Sequence, residues 1–272
     1  MSIGLAVALA LSGCMVGPGA RERAQAQAAE LPPISPNRPT FSDGTTLVPV
    51  GHAQLETGYT FTKRSEGGVK TERHNAPEVT ARYRALEALE LRILWAGQAW
   101  SETESAGVTT RDDGGTDLGL AAVVPITEQD GWRPALALEL VSTLGIGSSG
   151  FCSGHADPAA KLLWSYGAGH LPEWLGVGGN LIVAYPTEAG DRFTQTAVSL
   201  YATVTPGAGD TTFFGEWYVI TPYANNLDEA QSTDFGVVHR LSRNIAVDAR
   251  VGFGLDARAD DLFAGFGISF LF

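Results

Sequence analysis

Cysteine is nearly absent: Cys14 and Cys152 are too few and too far apart for a disulfide scaffold or a multi-cysteine zinc site. Charge is scarce as well, at 18% of residues, while 44% are apolar, which excludes a chain disordered throughout. Its 30 acidic and 18 basic side chains give a net charge of −12 with no basic block, so nucleic acid is not an expected partner. Long apolar runs are missing too. The first, Ile3 to Leu11, is nine residues, too short to cross a bilayer as a helix. The five histidines, His52, His74, His155, His170 and His239, fall on separate segments and form no i,i+4 pair. What the chain has in quantity is glycine, 33 residues, and with 14 prolines this predicts many turns.

The Ile3–Leu11 run has the length of the apolar region of an export signal. It leads into Leu11-Ser12-Gly13-Cys14, which resembles the lipobox of bacterial lipoproteins, where the cysteine becomes the lipidated first residue. No Lys or Arg precedes the run, and a later cleavage near Ala24-Gln25-Ala26 is the alternative reading. Residues 1–14 are thus assigned to export, with Cys14 as a lipidation candidate. Residues 15–50 read as a flexible periplasmic linker. Within it, Arg21 to Glu30 could form a short helix, and Leu31 to Pro39 holds four prolines, which exclude a helix interior or a central strand.

From Gly51 to Phe272 the recurring pattern is period-two alternation, that of a strand with different surroundings on its two faces. About twelve such segments start near Gly51, Pro77, Ala88, Thr116, Arg133, Pro158, Trp174, Thr194, Thr211, Ala230, Arg243 and Asp261. Each is roughly ten residues, enough to cross a bilayer at a tilt. In the last, Leu262, Ala264, Phe266, Ile268, Phe270 and Phe272 oppose Gly265, Gly267 and Ser269. In the third, Leu89, Leu91, Ile93, Trp95 and Ala99 oppose Glu90, Arg92, Gln98 and Trp100. Charge falls almost wholly on the small or polar face: Glu56, Glu78, Arg82, Glu90, Arg92, Asp117, Glu139, Lys161, Glu216, Asp234, Asp248 and Arg250, joined by Arg84 and Arg240. A soluble sandwich also alternates, with its charged face to water. Three features favour a membrane barrel. Aromatics such as Tyr59, Tyr83, Trp95, Tyr185 and Phe213 sit towards strand ends, as interfacial girdles do. Long polar linkers, Lys63 to Ala76, Ser101 to Gly115 and Gly145 to Asp157, alternate with short turns. The chain closes on alternating apolar residues ending in Phe270 and Phe272, similar to the signal read by the outer-membrane barrel assembly machinery. The expected fold is all-β: a transmembrane antiparallel up-and-down β-barrel of about 12 strands over residues 51–272, in the bacterial outer membrane. Val247→Arg should therefore be costly on the lipid face, and Ala246→Arg tolerated in the lumen.

The segment Arg38-Pro39-Thr40-Phe41-Ser42-Asp43-Gly44, then Val48-Pro49, Gly51, Gln54-Leu55-Glu56 and Gly58-Tyr59-Thr60, resembles the entry to a bacterial outer-membrane β-barrel family. That family is associated with transport and with the meta-pathway of phenol degradation. Asp260-Asp261-Leu262-Phe263-Ala264-Gly265-Phe266-Gly267 resembles its closing strand. The resemblance implies a role in passage of small compounds, aromatic ones among them, with membrane lipid and a small-molecule solute as partners.

No catalytic, metal or cofactor site is read from the sequence. Cys152 and His155 share a loop, but a metal would need a further ligand and Asp157 is the one nearby candidate. His155 is followed by Ala156-Asp157-Pro158, unlike the His-x-Ser of outer-membrane phospholipases. The inward charges either tune a pore or pair with one another across neighbouring strands. Asp234 and Arg250 are placed to face each other, with Asp248 beside them. The leading expectation is a non-enzymatic channel; the alternatives are a non-conducting structural or surface-interaction barrel and, behind it, a barrel hydrolase.

Overall fold

The computed structural model describes residues 32–207 and 209–272. Residues 1–14, where an export signal is expected, with Cys14, and the Arg21–Glu30 stretch lie outside the described residues. In chain order the strands are β1 (Ala53–Glu66), β2 (Val69–Leu86), β3 (Leu89–Trp95), β4 (Gln98–Ser105), β5 (Val108–Gly115), β6 (Leu118–Thr127), β7 (Ala135–Thr143) and β8 (Pro158–Tyr166). They continue as β9 (Leu175–Ala184), β10 (Thr187–Glu188), β11 (Asp191–Arg192), β12 (Gln195–Val204), β13 (Thr211–Thr221), β14 (Ala230–Arg240), β15 (Ile245–Gly254) and β16 (Leu262–Leu271). Twelve of them, β1–β3, β6–β9 and β12–β16, form an antiparallel ring closed where β1 pairs with both β2 and β16. At the seam, the Phe272 N–H donates to the Ala53 carbonyl at 2.8 Å. Closure leaves the ring itself without an edge, so its twelve strands can satisfy their backbone within the membrane without water.

The alternation read from the sequence sets the two faces. On β16, Phe266 is 60% exposed and Ser269 fully buried. Leu91, Ile93, Leu120, Leu181, Leu200, Phe235 and Val251 likewise face outward, forming an apolar belt for lipid. Tyr83 and Phe213 near one end and Tyr185 near the other lie exposed at its margins.

Two expectations about the long linkers are corrected. Residues 63–76 and 101–115 are not loops. They are strand extensions: β2 runs on from the ring to pair with the end of β1 and with β4, and β4 pairs with β5. Polar residues on both faces hid the period. The β1–β2 tip turns at Gly67 and Gly68, with φ of 58° and 82°, the paired positive values of a tight hairpin turn. The face assignment also fails beyond Trp95, since Ala99 is fully buried and Trp100 is 45% exposed. Gly97, at φ 86°, explains the switch. The ladder to β2 breaks between Trp95 and Gln98, and a Cβ on Gly97 would meet the Pro77 carbonyl oxygen at 2.5 Å.

The third correction is the largest. Residues 33–48 are not a free linker but run through the barrel interior. Ile34 and Val48 pack on Ala246 and Leu271, and Leu47 packs on a cluster of Val123, Ala137 and Leu163. Burying such a side chain contributes about 1.5–3 kcal/mol. The packing also fills the space that Ala246→Arg would need.

Candidate functional site

The inner wall and the segment threading it form one polar assembly. Prolines at 33, 36 and 39 keep the segment extended, so its N–H groups have no ladder of their own and must find acceptors inside the barrel. The acceptors are inward carboxylates and amides. Glu56 on β1 accepts from the backbone of Asn37 and Arg38 at 3.0 and 2.9 Å. Glu216 on β13 accepts from Phe41 and Ser42 at 2.7 and 2.8 Å. Glu90 on β3 accepts from Val48 at 2.7 Å, and Asn180 on β9 from Asp43 at 2.8 Å. Ser42 meets Ser199 on β12, Thr45 meets Ser165 on β8, and the Phe41 ring stacks on Tyr218 at 4.2 Å.

Two ionic groups hold this plug. In the first, Arg82 and Arg92, both fully buried, share Glu90 at 2.9 and 2.8 Å. Arg82 also reaches Glu56 at 3.2 Å and the Thr46 carbonyl at 2.8 Å. Arg92 continues to Glu139 at 2.6 Å and to Asp43 at 3.1 Å. Lys161 closes the group, 2.6 Å from Asp43 and 2.9 Å from Glu139. In the second, Arg38 of the plug pairs with Glu78 and stands 3.7 Å from Asp248, while Arg250 stands 3.7 Å from Asp234. Neither Asp234 nor Asp248 receives a hydrogen bond from the described atoms, although both are buried.

Eleven of the twelve wall charges named from the sequence therefore meet in the lumen. Asp117 does not: it precedes β6 at the rim, where it accepts from Gly147 and Ser153 of the 144–157 loop. Arg84 and Arg240 serve turns, at the Glu87 carbonyl and at Asp210. Phe270 and Phe272 lie close to each other, 6.4 Å between ring centroids. Cys152 is a free thiol, and Asp157, instead of joining it and His155, accepts from Thr187 at 2.7 Å. Sequence reasoning missed Arg38, Asp43, Asn180 and Ser199. One signal pointed there: inward acids outnumber inward bases, and the surplus carboxylates accept backbone N–H groups that no strand periodicity announces.

The plug divides the interior. A cavity of about 570 Å³ lies towards the short turns, lined by Tyr166, Tyr201, Thr203 and Phe214 among others. A second, of about 260 Å³, lies towards the long hairpins, lined by Glu78, Thr80, Trp95 and Arg250 among others. Asn37, Arg38, Pro39 and Thr40 line both, so this four-residue turn separates them. At the mouth beyond, Arg64 lies over the Tyr223 ring at 5.1 Å and Arg73 over Phe151 at 5.5 Å. Burial raises the carboxyl of Asp260, between β15 and β16, above the usual aspartate value, outweighing the pull of Arg64 and Arg73.

Comparison with known proteins agrees with this architecture. The family model described as "Putative MetA-pathway of phenol degradation" matches residues 36–272. An outer membrane channel from Pseudomonas putida F1 is similar in structure, with a TM-score of 0.62 at 13% identity over 88% of this chain and 100% of its own. The translocator domain of the autotransporter NalP from Neisseria meningitidis has a TM-score of 0.50 at 12% identity, over 93% and 94%. The NanC porin has a TM-score of 0.50 at 13% identity, over 80% and 98%. No curated protein matches the sequence. An even-stranded closed barrel with an apolar outer belt is the architecture of the bacterial outer membrane, and that is where this chain resides.

Proposed function

The chain belongs to the family of the MetA-pathway of phenol degradation, and from that membership and the lumen just described we propose that it is a channel for small solutes. Passage is passive, by diffusion through two cavities in series that a short turn of the plug separates. That arrangement is the observation on which the reading rests, since a packed core would leave no such space. The solute class is small and aromatic or weakly polar. The family description supports it, as do a lumen mixing Tyr, Phe and Trp with hydroxyl groups and a mouth carrying aromatic rings beside arginines. This reading has no chemical step, so no residue is assigned a catalytic role.

The test is reconstitution of the purified full chain in planar bilayers and in liposomes. Discrete conductance, with faster liposome uptake of phenol than of a sugar of similar mass, is the expected result. Absence of both, in protein whose unboiled band migrates as a compact barrel, would remove the channel reading. It would leave the sealed structural barrel, which the depth of the plug favours as the second reading.

A further inference from the structure

Four neighbouring strands, in the order β15, β16, β1, β2, carry a row of inward residues at one level. Asp248 pairs with Gly267, Gly267 with Gly58, and Gly58 with Glu78. The row therefore reads acid, glycine, glycine, acid. The two glycines leave a recess in the wall, and the guanidinium of Arg38 fills it. A Cβ on Gly58 would collide with that group, and a Cβ on Gly267 would lie 2.6 Å from Arg38 Nε and 2.8 Å from Asp248 Oδ2. Glu78 receives a hydrogen bond from Arg38 Nη1, and the Phe266 carbonyl one from Nη2 at 3.3 Å. Asp248 has a side chain 1% exposed and, among the described residues, no hydrogen-bond donor on either oxygen, and it faces Arg38 Nε at 3.7 Å. A planar cation with two acids at its edges and no side chain beneath it is the geometry that favours guanidinium over a compact ammonium.

We propose that this Asp248–Gly267–Gly58–Glu78 row is a guanidinium-binding site in the channel wall, that the chain's own Arg38 occupies it, and that this occupancy holds the constriction narrow, as a latch. The inference rests on the channel reading above. Arg38 belongs to the turn that divides the two cavities, and its side chain ties that turn to the β15–β2 side of the wall. Glu56 on β1 holds the backbone N–H groups of Asn37 and Arg38, and the further anchors of the plug, at Glu216, Asn180, Lys161 and Glu90, lie on other strands; none of them depends on the Arg38 side chain. Release of the Arg38 guanidinium thus widens the constriction by the space of that side chain without unthreading the plug. It also exposes two acids to the passage, which then favours cations.

Chemical rescue in planar bilayers tests this with the full chain. Arg38→Ala should conduct several-fold more than wild type and become more cation-selective. Guanidinium chloride at millimolar levels should then return its conductance and selectivity towards wild type. It should leave wild type unchanged, because the site is filled, and should fail on Arg38→Ala/Asp248→Asn. A conducting wild type with an indistinguishable Arg38→Ala overturns the latch and leaves the channel reading intact. An open Arg38→Ala that ignores guanidinium overturns the site. If neither protein conducts, the channel reading fails and the latch with it. Should Arg38→Ala not assemble, Arg38→Lys serves instead: it keeps the charge, loses the fork, and should open partway, with unchanged conductance counting against the latch.

Discussion

The two ionic groups inside the barrel contain similar residues but differ in how closely those residues meet. Around Asp43, three bases and four acids contact one another at 2.6–3.2 Å, Glu56 and Glu90 also accept backbone N–H groups of the plug, and Arg92 Nη2 and Glu139 Oε1 are the atoms of the group left without a hydrogen bond among the described residues. Around Asp234 and Asp248, the aspartates stand 3.7 Å from their arginines and accept no hydrogen bond. A buried charge is stabilising when its remaining hydrogen bonds are made, and otherwise its desolvation cost goes uncompensated. The first group therefore fixes the plug. The second is held at Glu78 alone by a close contact, from Arg38, which crosses the lumen there.

That contrast can be broken most forcefully at Arg92. Arg92→Ala takes one of two cationic partners from each of Glu90, Glu139 and Asp43 and should cost about 3–5 kcal/mol in urea unfolding from lipid vesicles. A loss comparable to a surface change would mean that the tight group does not hold the barrel. Next comes a check that the inside is filled. Val247→Arg, on the lipid face, should cost about 2–4 kcal/mol. Ala246→Arg should cost a similar amount, contrary to the expectation from alternation alone, because Ile34 and Val48 occupy its space. If Ala246→Arg assembles as readily as wild type, the plug does not fill that end. Glu216→Gln, which weakens two charge-assisted bonds to Phe41 and Ser42, should cost about 1.5–3 kcal/mol. It should also speed proteolysis of the segment before β1, and unaltered protease resistance would separate Glu216 from plug retention. The smallest effect is expected in the slack group: Asp234→Asn, which removes a poorly paired charge, should lie within about 1 kcal/mol of wild type. A large destabilisation there would erase the distinction between the two groups.

How much of this was legible depends on how locally each feature is encoded. In β15 and β16 one face meets lipid and the other the lumen, so every second residue reports its side, and the assignment from sequence agrees with the structure. In β2 the pattern was lost above Pro77, where both faces of the hairpin meet water and polar residues occupy each. At Gly97 a single positive-φ residue reversed the alternation, which a strict period cannot anticipate. The structure places the inward charges in the lumen, Asp117 excepted, whereas alternation along the chain points only to adjacent strands as the source of their partners. Asp234 and Arg250 do pair in that way. Glu56 and Glu90 meet Arg82 on the adjacent β2 as well, but they and Glu216 also accept from a segment 18 to 175 residues away in sequence.

The sequence by itself determined the barrel, its strand number, the lipid-facing belt and the polarity of the interior. Each follows from a two-residue period imposed by the strand geometry and by the two solvents on either side of it. Only the tertiary structure decided that residues 33–48 lie inside that barrel and that Arg38 rests on paired glycines. A proline-rich segment in an extended conformation carries no periodicity, and its place is set by acceptors from six separate strands that converge only once the ring has closed.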